Sequence, residues 1–190
     1  MAKIKISYYY LLCFIISINA FSQNTVAEEY TPEEIRACVK ELFDSQVGVR
    51  EEGSNRGAYV ELYLESVGLE AGLPYCAAFV SWCYQNAGVQ APISGWVPSF
   101  SRKANRIYQR GRFQKKTPQT ADVFLIWYPS LNRPAHIGFI DQWDSSWIIT
   151  VEGNTNDNGS REGDGVYRKR RLKKQIWVVS NFIDPPLINP

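Results

Sequence analysis

The sequence predicts an α+β protein in which N-terminal helices pack on a C-terminal antiparallel β-sheet. Segments with the apolar spacing of helices occupy residues 31–88, and short β-rich runs separated by turns follow from residue 122. Helices first and strands later are typical of this class. The 190 residues, 45% of them hydrophobic, are enough for one compact core but too few for two comfortable ones.

The first 22 residues are predicted to be a secretory signal peptide. Two lysines precede the stretch "ISYYYLLCFIISINAF", which is uncharged and short for a membrane span. Small residues suit cleavage after Ser22, with cleavage after Ala20 as the alternative. A retained membrane anchor is the competing interpretation. With cleavage, residues 23–30 form a linker, and the protein is periplasmic or secreted without stable membrane association.

Three helices are predicted ahead of the sheet. The first begins at Thr31, which caps it and forms a capping box with Glu34. A second short helix follows in "AYVELYLESVG". The third lies in "GLPYCAAFVSWCYQNAG", where it begins near Cys76 and ends at Gly88, a typical residue for the end of a helix.

Five short runs then read as strands, separated by turn residues: "DVFLIWY", "HIGFIDQW", "SWIITVEGN", "VYRKRRL" and "WVVSNFI". The segment before them, from "APISGW" to "QRGRF", is expected to be a loop with a possible short helix. The predicted domain covers residues 31–183, and the proline-limited segment 184–190 is a tail.

The charge balance argues against a polyanionic partner. The chain has 21 Lys and Arg residues against 19 Asp and Glu residues, and loss of Lys3 and Lys5 with the signal brings the net charge close to zero. The basic run "RKRRLKK" is the alternative indication of polyanion binding. On a strand, however, Lys169 and Arg171 face away from Arg168 and divide that charge between two faces. We therefore expect no nucleic-acid partner, and a monomer.

Cysteine and histidine usage limits the kind of chemistry. Cys38, Cys76 and Cys83 remain after signal cleavage, and an odd number argues against a disulfide framework. Cys38 is expected in the core; a Cys38–Cys83 disulfide after export stays open. His136 is the one histidine, and no paired ligand spacing such as C-x-x-C occurs, so we expect no metal and no cofactor.

Cys76 and His136 are the candidate nucleophile and base. A helix start presents unpaired N–H groups and a partial positive charge, which favour a thiolate at Cys76. The same N–H groups could hold a developing oxyanion. An adjacent imidazole would accept the thiol proton, and His136 could supply it if the sheet packs against this helix. A third group must orient the imidazole; Glu152 and Asn154, two residues apart on one strand, are both candidates.

The stretches "GLPYCAAFVSWC", "HIGFI", "VEGNTN" and "GDGVYRKRR" together resemble the CHAP family, the cysteine, histidine-dependent amidohydrolases/peptidases. The resemblance runs from Thr31 to Phe182. It implies a papain-like, NlpC-type fold and Cys76 and His136 as nucleophile and base. It further implies Glu152 as the orienting group and Asn154 as a polar partner. Where members often carry P-G-D, this chain has Ala121 in place of the glycine, which affects a turn more than the chemistry.

The resemblance implies a peptide amide of peptidoglycan as the substrate, with the enzyme being an exported thiol hydrolase of the cell wall. Asn55, Arg56, Tyr75 and Trp96 are the predicted substrate-binding residues, with a solvated loop as the alternative for the first two. Amidase and endopeptidase activity both remain open, as does the choice between the cell's own wall and a competitor's. A catalytically silent wall-peptide binding module and a toxin-like effector acting on a protein are the competing functions.

Overall fold

The structure is a computed structural model that describes residues 30–157 and 163–184. The predicted signal peptide, most of the predicted linker and most of the predicted tail lie outside these residues. The structure combines helices with one antiparallel sheet, which confirms the predicted α+β class. Within the described residues, no helix is both long and apolar enough to cross a membrane.

The helices are α1 (Pro32–Gln46), α2 (Ala58–Glu65) and α3 (Cys76–Asn86). Thr31 caps α1 as predicted: its hydroxyl accepts the Glu34 N–H, and the Glu34 carboxylate accepts the Thr31 N–H. Helix α3 begins at Cys76 without a side-chain cap. Its first turn therefore presents backbone N–H groups next to the thiol, as the sequence predicts.

Seven strands form one sheet in the order β2-β1-β7-β3-β4-β5-β6, with every neighbouring pair antiparallel. The five predicted strands correspond to β3 to β7. The strands are β1 (Arg106–Gln109), β2 (Phe113–Gln114), β3 (Val123–Tyr128), β4 (Arg133–Trp143), β5 (Trp147–Thr155), β6 (Gly165–Leu172) and β7 (Val178–Ser180).

Strands β1 and β2 lie in the segment for which the sequence predicts a loop with a possible short helix, and the absence of strands from that prediction is wrong. Strand β1 has just four residues, and pairing with β7 holds it in the sheet. A run of four residues is too short to show a clear alternating pattern. Its stability as a strand comes from pairing with β7, which lies more than 65 residues away in sequence. Two short 3₁₀ turns, Val97–Phe100 and Lys103–Asn105, precede it.

The helices cover one face of the sheet, and α3 is packed against β4 and β5. Phe79 and Tyr84 of α3 contact the ring of Phe139 on β4 edge to face, at centroid distances of 5.9 and 5.2 Å. Cys83 is fully buried in this core as a free thiol, so it is not joined to Cys38. Cys38 is only partly buried, less than its predicted core position implies.

Two glycines allow this close packing. A Cβ on Gly153 of β5 would lie 2.9 Å from the Cβ of Phe79 on α3, so a larger residue would push the helix away. A Cβ on Gly138 of β4 would lie 2.8 Å from Cγ of Glu152, so Gly138 leaves room for that carboxylate between the strands. Both glycines stand next to the predicted site residues in the sequence.

Ala121 occupies a turn before β3 and has φ of 70°, in the left-handed region that glycine adopts without strain. Its N–H donates to the carbonyl of Ile140, and its own carbonyl accepts the hydroxyl of Tyr84. The departure from the P-G-D pattern therefore falls at a turn, as the sequence predicts.

A buried ionic network, which the sequence did not suggest, ties α1 to the sheet. The Arg36 guanidinium donates to Asp122 and Asp184, each at 3.0 Å. Burial raises the pKa of Asp122 to about 6, although Arg36 opposes the shift. The network fixes the start of β3 and the end of the described chain against the first helix.

Candidate active site

The nucleophile candidate and the base candidate meet where α3 packs on β4. Cys76 is the first residue of α3, and His136 lies near the start of β4. The Cys76 thiol lies close enough to His136 to raise the pKa of the imidazole, and both residues are nearly buried, with 5% and 8% of their surface exposed. The structure therefore brings together the two groups that the sequence predicts to be partners.

Glu152 on β5 completes the arrangement from the neighbouring strand. Its Oε2 lies 2.7 Å from Nε2 of His136, and the carboxylate is fully buried. Because Nε2 contacts Glu152, Nδ1 is the ring nitrogen left available to the thiol. The carboxylate thus selects both the orientation and the tautomer of the imidazole.

Asn154, the other candidate for orienting His136, points elsewhere. Its Nδ2 donates to Oδ1 of Asn55 at 2.7 Å. Period-two alternation would put it on the same face as Glu152, but Asn154 has φ of 54° and the β5–β6 register shifts after Glu152. That irregularity turns the amide toward the loop that carries Asn55.

Two further residues, which the sequence analysis did not identify, hold the carboxylate. Nε and Nη2 of Arg171 on β6 donate to its two oxygens, each at 2.5 Å. The hydroxyl of Thr150 donates to Oε1 at 2.5 Å. The signal for both is alternation along a strand: Thr150 stands two residues before Glu152 on β5, and Lys169 and Arg171 are predicted to share one face of β6.

The pKa values of His136 and Glu152 shift in opposite directions. Burial by itself would lower the pKa of His136, but hydrogen bonds to Cys76 and Glu152 outweigh it and raise that pKa to about 9. Burial would raise the pKa of Glu152, but hydrogen bonds from Arg171 and His136 lower it to about 2. At neutral pH the site therefore contains an imidazolium and an ionised carboxylate.

The predicted substrate-binding residues differ in how far they are exposed to solvent. Trp96 is 51% exposed, and the guanidinium of Arg133 stacks on its ring with Cζ 4.1 Å from the centroid. Asn55 is half-buried and Arg56 is exposed, both in the loop before α2. Tyr75 is fully buried against Tyr63, so its ring offers no surface to a substrate here.

Among residues 30–157 and 163–184, no group of three or more His, Cys, Asp or Glu side chains is placed to hold a metal ion.

Residues 68–154 match the model of the CHAP domain family. The CHAP resemblance is confirmed for this segment. The CHAP segment contains Cys76, His136 and Glu152, together with Asn154, Tyr75 and Trp96. Asn55 and Arg56 precede it, and Arg171 follows it. The carboxylate of the CHAP segment is thus held by an arginine from a strand beyond the matched residues.

One solved structure is similar over most of the chain. It is a Staphylococcus aureus subsp. aureus Mu50 protein described as similar to lipoprotein, NLP/P60 family, with 13% sequence identity and a TM-score of 0.44. The alignment covers 86% of this chain and 46% of that one, so the present chain spans about half of its length. No curated protein matches significantly.

The raised pKa of His136 can be measured directly, because the CHAP segment holds the one histidine of the chain. We expect NMR titration of the imidazole to give a midpoint near pH 9, compared with an ordinary value of 6.5. Protonation of His136 should stabilise the fold; this contribution is complete below pH 6.5 and is lost as the pH rises through 9. In Cys76→Ala the midpoint should fall, because one of the two hydrogen-bonding partners is gone. A wild-type midpoint at or below 6.5 would contradict the assignment.

Proposed function

We propose that this protein is an exported cysteine hydrolase that cleaves amide bonds of bacterial peptidoglycan. The observation that supports it is the cluster of Cys76, His136 and Glu152 at a helix start inside a CHAP segment, where His136 is hydrogen-bonded to Glu152 and its pKa is raised by the neighbouring Cys76. A thiol at a helix N-terminus beside an imidazolium is the arrangement that favours a nucleophilic thiolate.

In the proposed reaction, Sγ of Cys76 attacks the carbonyl carbon of the scissile amide. The carbonyl electrons move to oxygen, and backbone N–H groups at the start of α3 stabilise the resulting oxyanion. When the intermediate collapses, the C–N bond breaks and the leaving amine takes a proton from Nδ1 of His136. The other fragment remains as a thioester on Cys76.

Water then completes the cycle. His136, now neutral, accepts a proton from the water that attacks the thioester carbonyl. The C–S bond breaks, which restores the thiolate–imidazolium pair, and the carboxylic acid product loses its remaining proton to solvent water. Throughout the cycle, Glu152 accepts a hydrogen bond from Nε2–H of His136 and keeps the imidazole in one orientation.

We assign the exposed loops next to the site to substrate binding. Trp96 and Arg133 present an aromatic ring with a cation stacked on it, which suits a sugar ring or a carboxylate of a wall peptide. Asn55 accepts a hydrogen bond from Asn154, which connects the polar loop before α2 to the end of β5. Asn55, Arg56 and Asn154 are assigned to binding polar groups of the substrate.

Digestion of purified sacculi followed by mass analysis of the released fragments tests the function. An N-acetylmuramoyl-L-alanine amidase would release whole stem peptides, whereas an endopeptidase would release muropeptides cut within the stem or the cross-bridge. Cys76→Ala, incubated in parallel, should release neither. Sacculi that bind the wild-type protein but stay intact would favour a silent binding module. Intact sacculi together with cleavage of a protein substrate would favour an effector.

A further inference from the structure

The Glu152 carboxylate has a partner on the adjacent edge strand, β6. We propose that Arg171 is a positioning residue of this hydrolase, acting on His136 through Glu152. The proposal rests on the proposed function, because it assigns Arg171 a part in the same reaction. It concerns a residue beyond the matched CHAP segment.

The contact is bidentate and largely removed from water. Nε and Nη2 of Arg171 each donate to a separate oxygen of Glu152 at 2.5 Å, and the side chain of Arg171 is 15% exposed. A guanidinium fork fixes a carboxylate in its own plane, which a single point charge does not do. The carboxylate plane in turn fixes the direction in which Oε2 meets His136.

The strand register explains how Arg171 reaches this position. On β5, Ile148, Thr150 and Glu152 alternate onto one face, and Ile148 is paired directly with Arg171 of β6. Arg171 therefore shares the face of Thr150 and Glu152, and its long side chain reaches the carboxylate of Glu152. Arg170, one residue earlier, faces the other way and stacks on Trp147, with Cζ 4.2 Å from the ring centroid.

The charges of the site show what Arg171 contributes. The groups facing Glu152 are His136 from β4, Thr150 from β5 and Arg171 from β6; Cys76 acts through His136, and Tyr128 lies near Arg171. With Arg171 present, the buried carboxylate of Glu152 is paired with two positive charges, those of the Arg171 guanidinium and the His136 imidazolium. Without it, burial drives Glu152 to take up a proton, and a neutral carboxyl group is a weaker acceptor for the Nε2–H bond.

The test compares Arg171→Met, Arg171→Lys and the matched control Arg170→Met in wall hydrolysis across pH. We expect Arg171→Met to lower kcat on the order of 100-fold with little change in KM. The acidic limb of the pH–rate profile of this variant should shift to higher pH by about one unit or more, because Glu152 then protonates at a higher pH. Arg171→Lys should recover part of the loss, and Arg170→Met should behave as wild type.

A second measurement separates positioning from stability. In the double variant Arg171→Met/Glu152→Gln, no unpaired charge is left buried, so folding stability should recover. Hydrolysis should stay low, because the ionised acceptor for His136 is still missing. Recovery of activity together with stability would overturn the proposal, as would an Arg171→Met profile that falls equally at every pH.

The proposal can fail independently of the proposed function. The Nε2–H proton of His136 gives one NMR signal, which should lie downfield in the wild type and move upfield in Arg171→Met as the pH falls below 7. An unchanged signal would reject the role of Arg171 even in an active hydrolase. A shifted signal in a protein that leaves sacculi intact would keep the role and reject the substrate.

Discussion

Replacing Cys76 by alanine is expected to abolish amide hydrolysis, with a loss on the order of 10⁴-fold or more. Alanine provides no nucleophile, so no thioester can form and the imidazolium has no reaction to assist. The fold should persist, because the exchange removes one sulfur atom and leaves the backbone of α3 unchanged. Stability should change by about 1 kcal/mol. The measurement is release of soluble fragments from sacculi, with the thermal melting temperature recorded alongside.

Cys83→Ala is the matched control for this result, since it removes a thiol two turns further along the same helix. That thiol is fully buried in the core, so its loss should cost stability but leave the rate of hydrolysis close to wild type. Intact-mass analysis of the wild-type enzyme with substrate should reveal an added acyl group that Cys76→Ala lacks. If Cys76→Ala releases fragments at a tenth of the wild-type rate or faster, the nucleophile has been misassigned.

Composition and local pattern are enough to nominate the central pair. His136 is the one histidine, so any imidazole base must be this residue. The cysteine at the start of α3 is indicated by Pro74 before it and by the helical apolar spacing after it. What sequence cannot supply is their contact, because it depends on α3 packing on β4, some 60 residues away in the chain.

The choice between Glu152 and Asn154 shows where period-two reasoning stops. Alternation puts both on one face, and only the positive φ of Asn154 and the shifted register separate them. A register shift depends on the partner strand and leaves no reliable trace in a single sequence. Arg171 was overlooked for a related reason: as one of seven residues in a basic-looking run, it is distinguished from Arg170 only by the face on which it lies.

The roles of Gly138 and Gly153 also depend on residues that are distant in sequence. Gly138 and Gly153 could be taken for ordinary weak points in strands. In the structure each one makes room for a neighbour: Gly138 for the carboxylate of Glu152, and Gly153 for the approach of α3 through Phe79. The short sequences H-I-G and E-G-N thus each combine a side chain of the candidate site with a glycine that leaves room for a neighbouring residue.

Replacing His136 by alanine is expected to lower hydrolysis on the order of 10³-fold or more while the protein stays folded. The thiol loses its proton acceptor, and the leaving amine loses its proton donor. Folding should survive because Glu152 is not left as an unpaired buried charge: it keeps the bidentate bonds from Arg171 and the hydroxyl of Thr150. Hydrolysis of sacculi and circular dichroism measure the two parts of this result.

Alkylation of Cys76 by iodoacetamide at pH 6 isolates the effect of the imidazole on the thiol. The wild-type protein should react at least about tenfold faster than His136→Ala, because the imidazolium stabilises the thiolate. Gln142→Ala is the control, since Gln142 is exposed on the same strand and should leave both rates unchanged. Equal alkylation of the wild type and His136→Ala would mean that the helix start activates Cys76 alone. In that case His136 would serve only the proton transfers to the amine and from water, and the loss of hydrolysis would have to come from those steps.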